Sequence, residues 1–129
     1  MLVFIKLFLA LILGSLLGLE RELSNKPGGV KTHGLVALAS CGFILIVQEI
    51  SIMEQARVMT GIIQGVGFIG GGLIVKEGNN AKGLTGAVEI WISSGLGLAC
   101  AFGLWRIAFN MLFLSLLLLK LMRLSFPKS

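Results

Sequence analysis

The sequence predicts an all-α fold, a polytopic membrane helix bundle with about five transmembrane helices. Of the 129 residues, 56% are hydrophobic and only 13% are charged, and the mean hydropathy is +0.97. A soluble domain carries about 25% charged residues. We expect one membrane domain over residues 1–129 without a soluble C-terminal domain. Short polar stretches separate five apolar segments, at about residues 2–19, 34–48, 58–75, 85–102 and 104–122.

The first segment could be mistaken for a signal peptide, but its sequence favours a retained span. Lys6 lies inside the apolar run and not ahead of it, and no A-x-A cleavage site follows. The second segment, 34–48, has only 15 uncharged residues, so it is either a full span or a re-entrant piece. An 18-residue helix extends about 27 Å, close to the hydrocarbon thickness, so the other segments are long enough to cross.

Basic residues lie in the polar connections, and their distribution predicts the orientation. Cytoplasmic loops of membrane proteins carry an excess of lysine and arginine. Two connections and the tail carry two or three bases each, whereas the other two connections carry one base each, Arg57 and Arg106. We therefore expect the N-terminus outside and the C-terminus in the cytoplasm. The richer stretches contain Arg21, Lys26 and Lys31, then Lys76 and Lys82, and finally Lys120, Arg123 and Lys128.

Several function classes are excluded by composition. The net charge of +5 is not gathered into one basic stripe with interleaved aromatic residues, so we expect no nucleic-acid partner. Cys41 and Cys100 both lie in apolar segments, and His33 is the only histidine, which argues against a zinc site. There is no aspartate, no P-loop, and no nucleophile with a positioned base. We expect neither an enzyme nor a cofactor.

Residues 65–72 read GVGFIGGG and satisfy the G-x-G-x-x-G pattern of dinucleotide-binding turns. The pattern lies inside an uncharged 18-residue run with no strand before it, so a phosphate cradle is excluded by context. Small residues four apart instead predict close packing between spans three and four. So many glycines could also break or kink span three and expose carbonyls to an ion. The packing residues are Gly61, Gly65, Gly67 and Gly71 in span three, and Ser93, Gly97 and Ala101 in span four.

Two polar residues fall inside apolar segments, where polar groups are costly and often functional. Gln64 is predicted to be buried and to form an interhelical hydrogen bond. Glu89 shares a helical face with Thr85 and Ser93. It either pairs with a base such as Lys31 or Lys82 or lines a polar cavity.

A charged cluster at the predicted cytoplasmic end contains two further carboxylates, Glu20 and Glu22. One interpretation is that Arg21 or Lys31 neutralises them, since a solvated charged helix end is the common arrangement. Alternatively, both carboxylates together with Glu89 could hold a hard cation such as magnesium through oxygen ligands.

Four motifs together resemble the membrane domain of the MgtC/SapB family of bacterial inner-membrane proteins. They cover about residues 14–103. The sequence departs from the family pattern at several positions: lysine stands at 31 where arginine is common, Gly86 replaces a second threonine, Glu89 is charged where a neutral residue is expected, and Ala101 replaces a glycine. The motifs are Gly14 with Gly18-Leu19-Glu20-Arg21-Glu22; Gly28-Gly29-Val30-Lys31-Thr32-His33; Gly65 to Gly72 with Gly65, Gly67, Gly70 and Gly72; and Gly83-Leu84-Thr85 with Trp91 and Gly97.

The resemblance implies a multi-pass protein of the cell inner membrane that is linked to growth at low magnesium and, in some pathogens, to virulence. It implies a non-catalytic regulator of other membrane proteins, such as the F-type ATP synthase or transporters. A small oligomeric transporter or channel for magnesium or another cation is the alternative. The expected partners are membrane lipid, other membrane proteins and further copies of the chain. Many family members carry a soluble C-terminal domain, which we do not expect here.

Overall fold

A computed structural model describes residues 1–125, which form five α-helices and one short hairpin. This confirms the predicted all-α helix bundle. The tail base Lys128 lies outside the described residues, and the orientation in the membrane stays a prediction. The elements are α1 (Leu2–Leu23), α2 (Val30–Ile50), a 3-10 turn (Ile52–Glu54), α3 (Gln55–Gly71), the antiparallel strands β1 (Val75–Glu77) and β2 (Asn80–Lys82), α4 (Leu84–Ala101) and α5 (Trp105–Ser125).

Within the described residues, four helices are long and apolar enough to cross a membrane: α1, α2, α4 and α5. The second predicted segment is therefore a helix of full length, with 21 residues. In contrast, α3 has 17 residues, which corresponds to about 26 Å. The predicted span 58–75 was wrong at its end, because the chain turns at Gly72 and Val75 enters the hairpin opposite Lys82. The predicted break is also absent, since α3 is one continuous helix.

The hydrophobic core lies where α1, α2 and α4 meet. Leu17 of α1, Ile44 of α2 and Ile90 of α4 are fully buried there. In α4, 11 of the 18 residues are buried, whereas α3 buries only Ile62, Val66 and Gly70. Thus α4 is the central helix of the bundle, and α3 lies at its edge.

Within this core, α4 packs closely against α2. A Cβ atom at Gly97 would collide with the backbone carbonyl of Ala37, and Ser93 Oγ donates to the His33 carbonyl at 2.6 Å. The hydroxyls of Ser40 and Ser94 join the same two helices at 2.8 Å. The small residues Ser93, Ser94 and Gly97 of α4 therefore pack against α2.

Spans three and four pack against each other as predicted, but the prediction that Gly61, Gly65, Gly67 and Gly71 form this contact is wrong. A Cβ atom at Gly61, Gly65, Gly67 or Gly71 would meet nothing within 4 Å. The side of α3 that contacts the bundle carries Ile62 and Val66, and among the glycines of α3 it is Gly70 that lies against α4, where its Cβ would lie 3.0 Å from the Ala87 carbonyl. Of the three positions in α4, Ser93 and Gly97 face α2 and Ala101 is buried in the core.

The start of α4 is set by the turn that follows the hairpin. Gly83 precedes the helix with φ +89°, in the left-handed region that favours glycine. A Cβ atom here would also collide with the Leu73 carbonyl. The turn thereby brings the first residues of α4 against the end of α1.

Candidate functional site

A buried cluster of charged and titratable side chains lies where α1, α2 and α4 meet near the hairpin end of the bundle. Arg21, His33 and Glu89 are 6%, 0% and 4% exposed. Arg21 Nη1 lies 3.7 Å from Glu89 Oε2, and His33 Nε2 lies 3.9 Å from Glu89 Oε1. Charged residues are almost never buried unless they are paired, and Arg21 and Glu89 form such a buried pair.

Arg21 is held by the loop that follows α1. Its Nε donates to the Pro27 carbonyl at 2.9 Å, and the Lys26 amide donates back to the Arg21 carbonyl at 2.9 Å. The guanidinium lies against the Cα of Gly86, where a Cβ atom would collide with it. The missing side chain at Gly86 therefore makes room for the buried arginine.

His33 is oriented by the first turn of α2. Its Nδ1 lies 3.0 Å from the Gly29 carbonyl. A carbonyl only accepts, so Nδ1 carries the proton and donates. The other ring nitrogen, Nε2, then faces Glu89.

Two atoms of the cluster lack hydrogen-bond partners. Among the described residues, His33 Nε2 and Glu89 Oε1 are the buried side-chain nitrogen and oxygen atoms without one. Their separation of 3.9 Å exceeds the length of a hydrogen bond. No backbone or side-chain group of the described residues therefore uses the bonding capacity of these two atoms.

The predictions for Glu89 were partly wrong. Glu89 pairs with a base, but that base is Arg21; Lys31 is exposed, and Lys82 pairs with Glu77 at 2.9 Å. Thr85, which was placed on the same face, is exposed. A signal for Arg21 was present in α1, where Gly14, Gly18 and Arg21 recur at helical spacing on the buried side.

The three carboxylates suggested for a cation do not come together. No group of three His, Cys, Asp or Glu residues in the described part of the chain is close enough to hold a metal ion. Glu22 is exposed and accepts a hydrogen bond from the Val30 amide at 3.2 Å, so it is directed to the start of α2. Glu20 is half-buried, and only Glu89 is inside.

A second feature is an exposed surface of α3, which we call the α3 outer face: Gly61, Gln64, Gly65, Phe68 and Gly71. Gly61 and Gly65 also line a cleft of about 420 Å³ between α3 and α2. All five residues are exposed, and Phe68 is 88% exposed. The prediction that Gln64 is buried was therefore wrong, because the side of α3 that packs on the bundle carries Ile62, Val66 and Gly70. Gly67 is exposed beside this face.

The chain is similar over most of its length to a known protein family. A sequence model of the MgtC family matches residues 7–125. The chain belongs to the MgtC family. Together with the four helices of spanning length, this identifies a membrane protein.

Curated relatives of this MgtC-family chain support the same assignment. The chain is 36% identical to Protein MgtC of Salmonella typhimurium over 79% of its own length and 44% of the relative. It is 38% identical to Protein SapB of Bacillus subtilis over 83% of its length and 50% of the relative. Protein MgtC of Brucella abortus is 38% identical over 74% of this chain and 40% of the relative. The chain thus spans half or less of these relatives, and no solved structure gives a significant match.

The residues of the MgtC-like motifs fall into two groups. The first group lies at the hairpin end or in the core and includes Arg21, His33, Gly83 and Gly97. Further motif residues lie next to these in sequence: Glu20, Glu22, Lys31, Thr32, Leu84 and Thr85. The second group is in α3 and at its end. A Cβ atom at Gly65 or Gly67 would meet no described residue within 4 Å, whereas Gly70 lies against Ala87 of α4. Trp91 on α4 is exposed as well.

Two of the departures from the expected family pattern at the start of α4 contact Arg21. Gly86 provides the space for the guanidinium, and Glu89 provides the carboxylate that pairs with it. The sequence alone does not show that these two departures both contact Arg21, because Arg21 is distant from them along the chain.

Proposed function

We propose that this MgtC-family protein is a non-catalytic regulator in the bacterial inner membrane that acts on another membrane protein through the α3 outer face. The observation that carries the proposal is the exposure of Gly61, Gly65 and Gly71 beside Gln64, on a helix whose opposite side is already packed.

The composition of this face suits a second membrane helix. A glycine inside a helix destabilises it by about 0.5–1 kcal/mol relative to alanine, and no neighbour in the chain requires glycine at these positions. Small residues let helix backbones approach closely in a membrane, where lipid provides no hydrophobic drive for association. The amide of Gln64 gains hydrogen bonds only from such a partner, since lipid tails offer none. The face therefore favours a protein partner over plain lipid contact.

The physiological setting of the proposal comes from the resemblance to the MgtC/SapB family. That resemblance supports a role in magnesium homeostasis and growth at low magnesium, with the F-type ATP synthase or a transporter as the regulated protein. Because the chain spans half or less of its curated relatives, this role is proposed for the membrane domain.

The test is co-purification of membrane proteins from bacteria grown at low magnesium. Gly65→Leu places a large side chain on the α3 outer face, where a Cβ atom meets no described residue within 4 Å and an open cleft lies beside it, so the protein should fold and lose its partner. Ala56→Leu is the matched control, because Ala56 is exposed on the same helix about two and a half turns away, on the other side. Retention of the partner by a folded Gly65→Leu protein would exclude this face.

A cation transporter is the second candidate, favoured by the buried cluster and its unpaired atoms. Glu89 Oε1 and His33 Nε2 lack partners, and intramembrane ionisable groups often mark ion pathways. The test is magnesium influx into liposomes with a trapped dye, compared with protein-free liposomes and a Glu89→Gln variant. Influx abolished by the substitution would support transport; no influx from folded, inserted protein would sink it.

A further inference from the structure

Two buried hydrogen-bond acceptors face each other between α2 and α4. His33 is fully buried and Glu89 is 4% exposed. The nitrogen Nε2 of His33 and the oxygen Oε1 of Glu89 lie 3.9 Å apart, and neither is hydrogen-bonded to a described residue. Because His33 Nδ1 donates to the Gly29 carbonyl at 3.0 Å, Nε2 of the neutral ring carries a lone pair and no proton. The lone pairs of a ring nitrogen and of a carboxylate oxygen therefore meet with no hydrogen between them.

The separation of these two acceptors suits one donor atom that both of them share. At 3.9 Å they are too far apart for a direct hydrogen bond. An oxygen atom at a usual hydrogen-bond length of about 2.8 Å from each acceptor would make an angle of about 90° between its two bonds. A water molecule carries two hydrogens and can donate one to each acceptor, and buried water molecules make about two to four such bonds.

The charges of the cluster favour a neutral donor over a cation. Glu89 is already paired with Arg21, whose Nη1 lies 3.7 Å from Glu89 Oε2, so the charges of the two side chains balance. A second cation at Glu89 would lie close to the guanidinium and be repelled by it. In the described part of the chain, no group of three His, Cys, Asp or Glu residues is close enough to hold a metal ion. A neutral molecule with two hydrogens therefore fits these acceptors better than a metal ion or an ammonium ion.

Burial limits the donor to a small molecule. Both Nε2 of His33 and Oε1 of Glu89 are inaccessible from the surface. Glu89 also lines a cleft of about 440 Å³ between α4 and α5, so open space lies next to its side chain. A molecule of the size of water is the one that two buried atoms at this separation can share.

We propose that one water molecule is bound between α2 and α4, where it donates to His33 Nε2 and to Glu89 Oε1. The inference does not depend on the proposed partner face. The water joins the two central helices beside the direct hydrogen bonds of Ser93 and Ser40. It also holds one oxygen of the Glu89 carboxylate while Arg21 pairs with the other. The two acceptors that a cation would use are thereby occupied.

The single histidine of the chain makes this site observable by NMR. The full chain is purified through a tag without histidine and placed in lipid nanodiscs with isotope-labelled histidine, so that every ring signal comes from His33. Nuclear Overhauser transfer from water to the carbon-bound ring hydrogens reports a water molecule that is held beside the ring. We expect a cross-peak with the sign of an immobilised water, a protonated Nδ1 and an unprotonated Nε2.

Three variants locate the water. Glu89→Gln should abolish the cross-peak, because the side-chain amide can donate directly to His33 Nε2 and displace the water. Ser93→Ala is the matched control for a neighbouring hydroxyl hydrogen that exchanges with water. Ser93 donates to the His33 carbonyl, and its removal should leave the cross-peak in place. Glu77→Gln, in the exposed hairpin, should change no signal of His33.

Four results would overturn the proposal. Absence of the cross-peak in the unmodified protein would show that no water is held at the ring. A protonated Nε2 would show that His33 donates directly to Glu89. Loss of the cross-peak in Ser93→Ala would assign it to the serine hydroxyl. A shift of the Nε2 signal on addition of magnesium would assign the two acceptors to a cation. None of these results requires the Glu89→Gln protein to fold.

Discussion

Gly86 of α4 lies directly beneath the guanidinium of Arg21 of α1, and a Cβ atom at this glycine would collide with Arg21 Cζ. The contact explains how a 94% buried arginine is accommodated at the meeting point of three helices, because only glycine leaves space for it. It also makes the start of α4 sensitive to the smallest possible substitution.

We expect Gly86→Ala to destabilise the protein by about 1–3 kcal/mol, since the added methyl group overpacks a site with no free space. Unfolding in mixed micelles of increasing denaturing detergent measures the change. Gly65→Ala is the matched control, because nothing lies within 4 Å of a Cβ atom there, and it should stabilise the helix by about 0.5–1 kcal/mol. The same sign for both substitutions would contradict the packing described for α3 and α4.

The pair of Arg21 and Glu89 predicts a strongly coupled double mutant. Glu89→Ala leaves a buried arginine without its carboxylate and should destabilise the fold by about 3–5 kcal/mol. Combining it with Arg21→Met should recover most of that loss, because apolar groups can replace a buried ion pair at little cost. The exposed pair Glu77–Lys82 serves as reference, where Glu77→Ala should change stability by about 1 kcal/mol or less. Additive effects at Arg21 and Glu89 would show that the two do not interact.

Gly97→Leu should prevent folding, whereas Gly65→Leu should not. Gly97 contacts the Ala37 carbonyl of α2, and a large side chain would force the two central helices apart. Protease resistance and detergent-solubilised size distribution would report the difference. Loss of a partner by Gly97→Leu would accordingly reflect unfolding and not a binding face. A folded Gly97→Leu protein would mean that α2 and α4 do not pack as described.

The predicted orientation can be checked with single cysteines. Lys31→Cys and Lys82→Cys should react with a membrane-impermeant maleimide only from the cytoplasmic side, and Arg57→Cys only from the outside. All three positions are exposed, and the native Cys41 and Cys100 are buried, which keeps the background low. Labelling from the opposite sides would reverse the orientation.

That the chain is a bundle of membrane helices could be predicted from its sequence alone. Length and hydropathy predict a spanning helix from local residues alone, since every backbone group in lipid must be bonded within its own helix. Gly78 and Asn80 are turn-forming residues in a polar connection, but the hairpin that shortens α3 was not predicted. Two three-residue strands carry too few residues for a pattern of alternation to be visible.

Which small residues face the interior, and which charged side chains meet, could not be predicted from the sequence and is seen in the packed bundle. Spacing places residues on one face of their own helix but says nothing about how that helix is rotated against its neighbours. Gly61 and Gly65 therefore look the same in sequence as Ser93 and Gly97, yet the first two are exposed and the second two are buried. Arg21 and Glu89 belong to different helices, so their pairing depends on the close approach that glycines at 86 and 97 permit. The physical reason is that helix formation is local, whereas packing in the bundle depends on all the helices together.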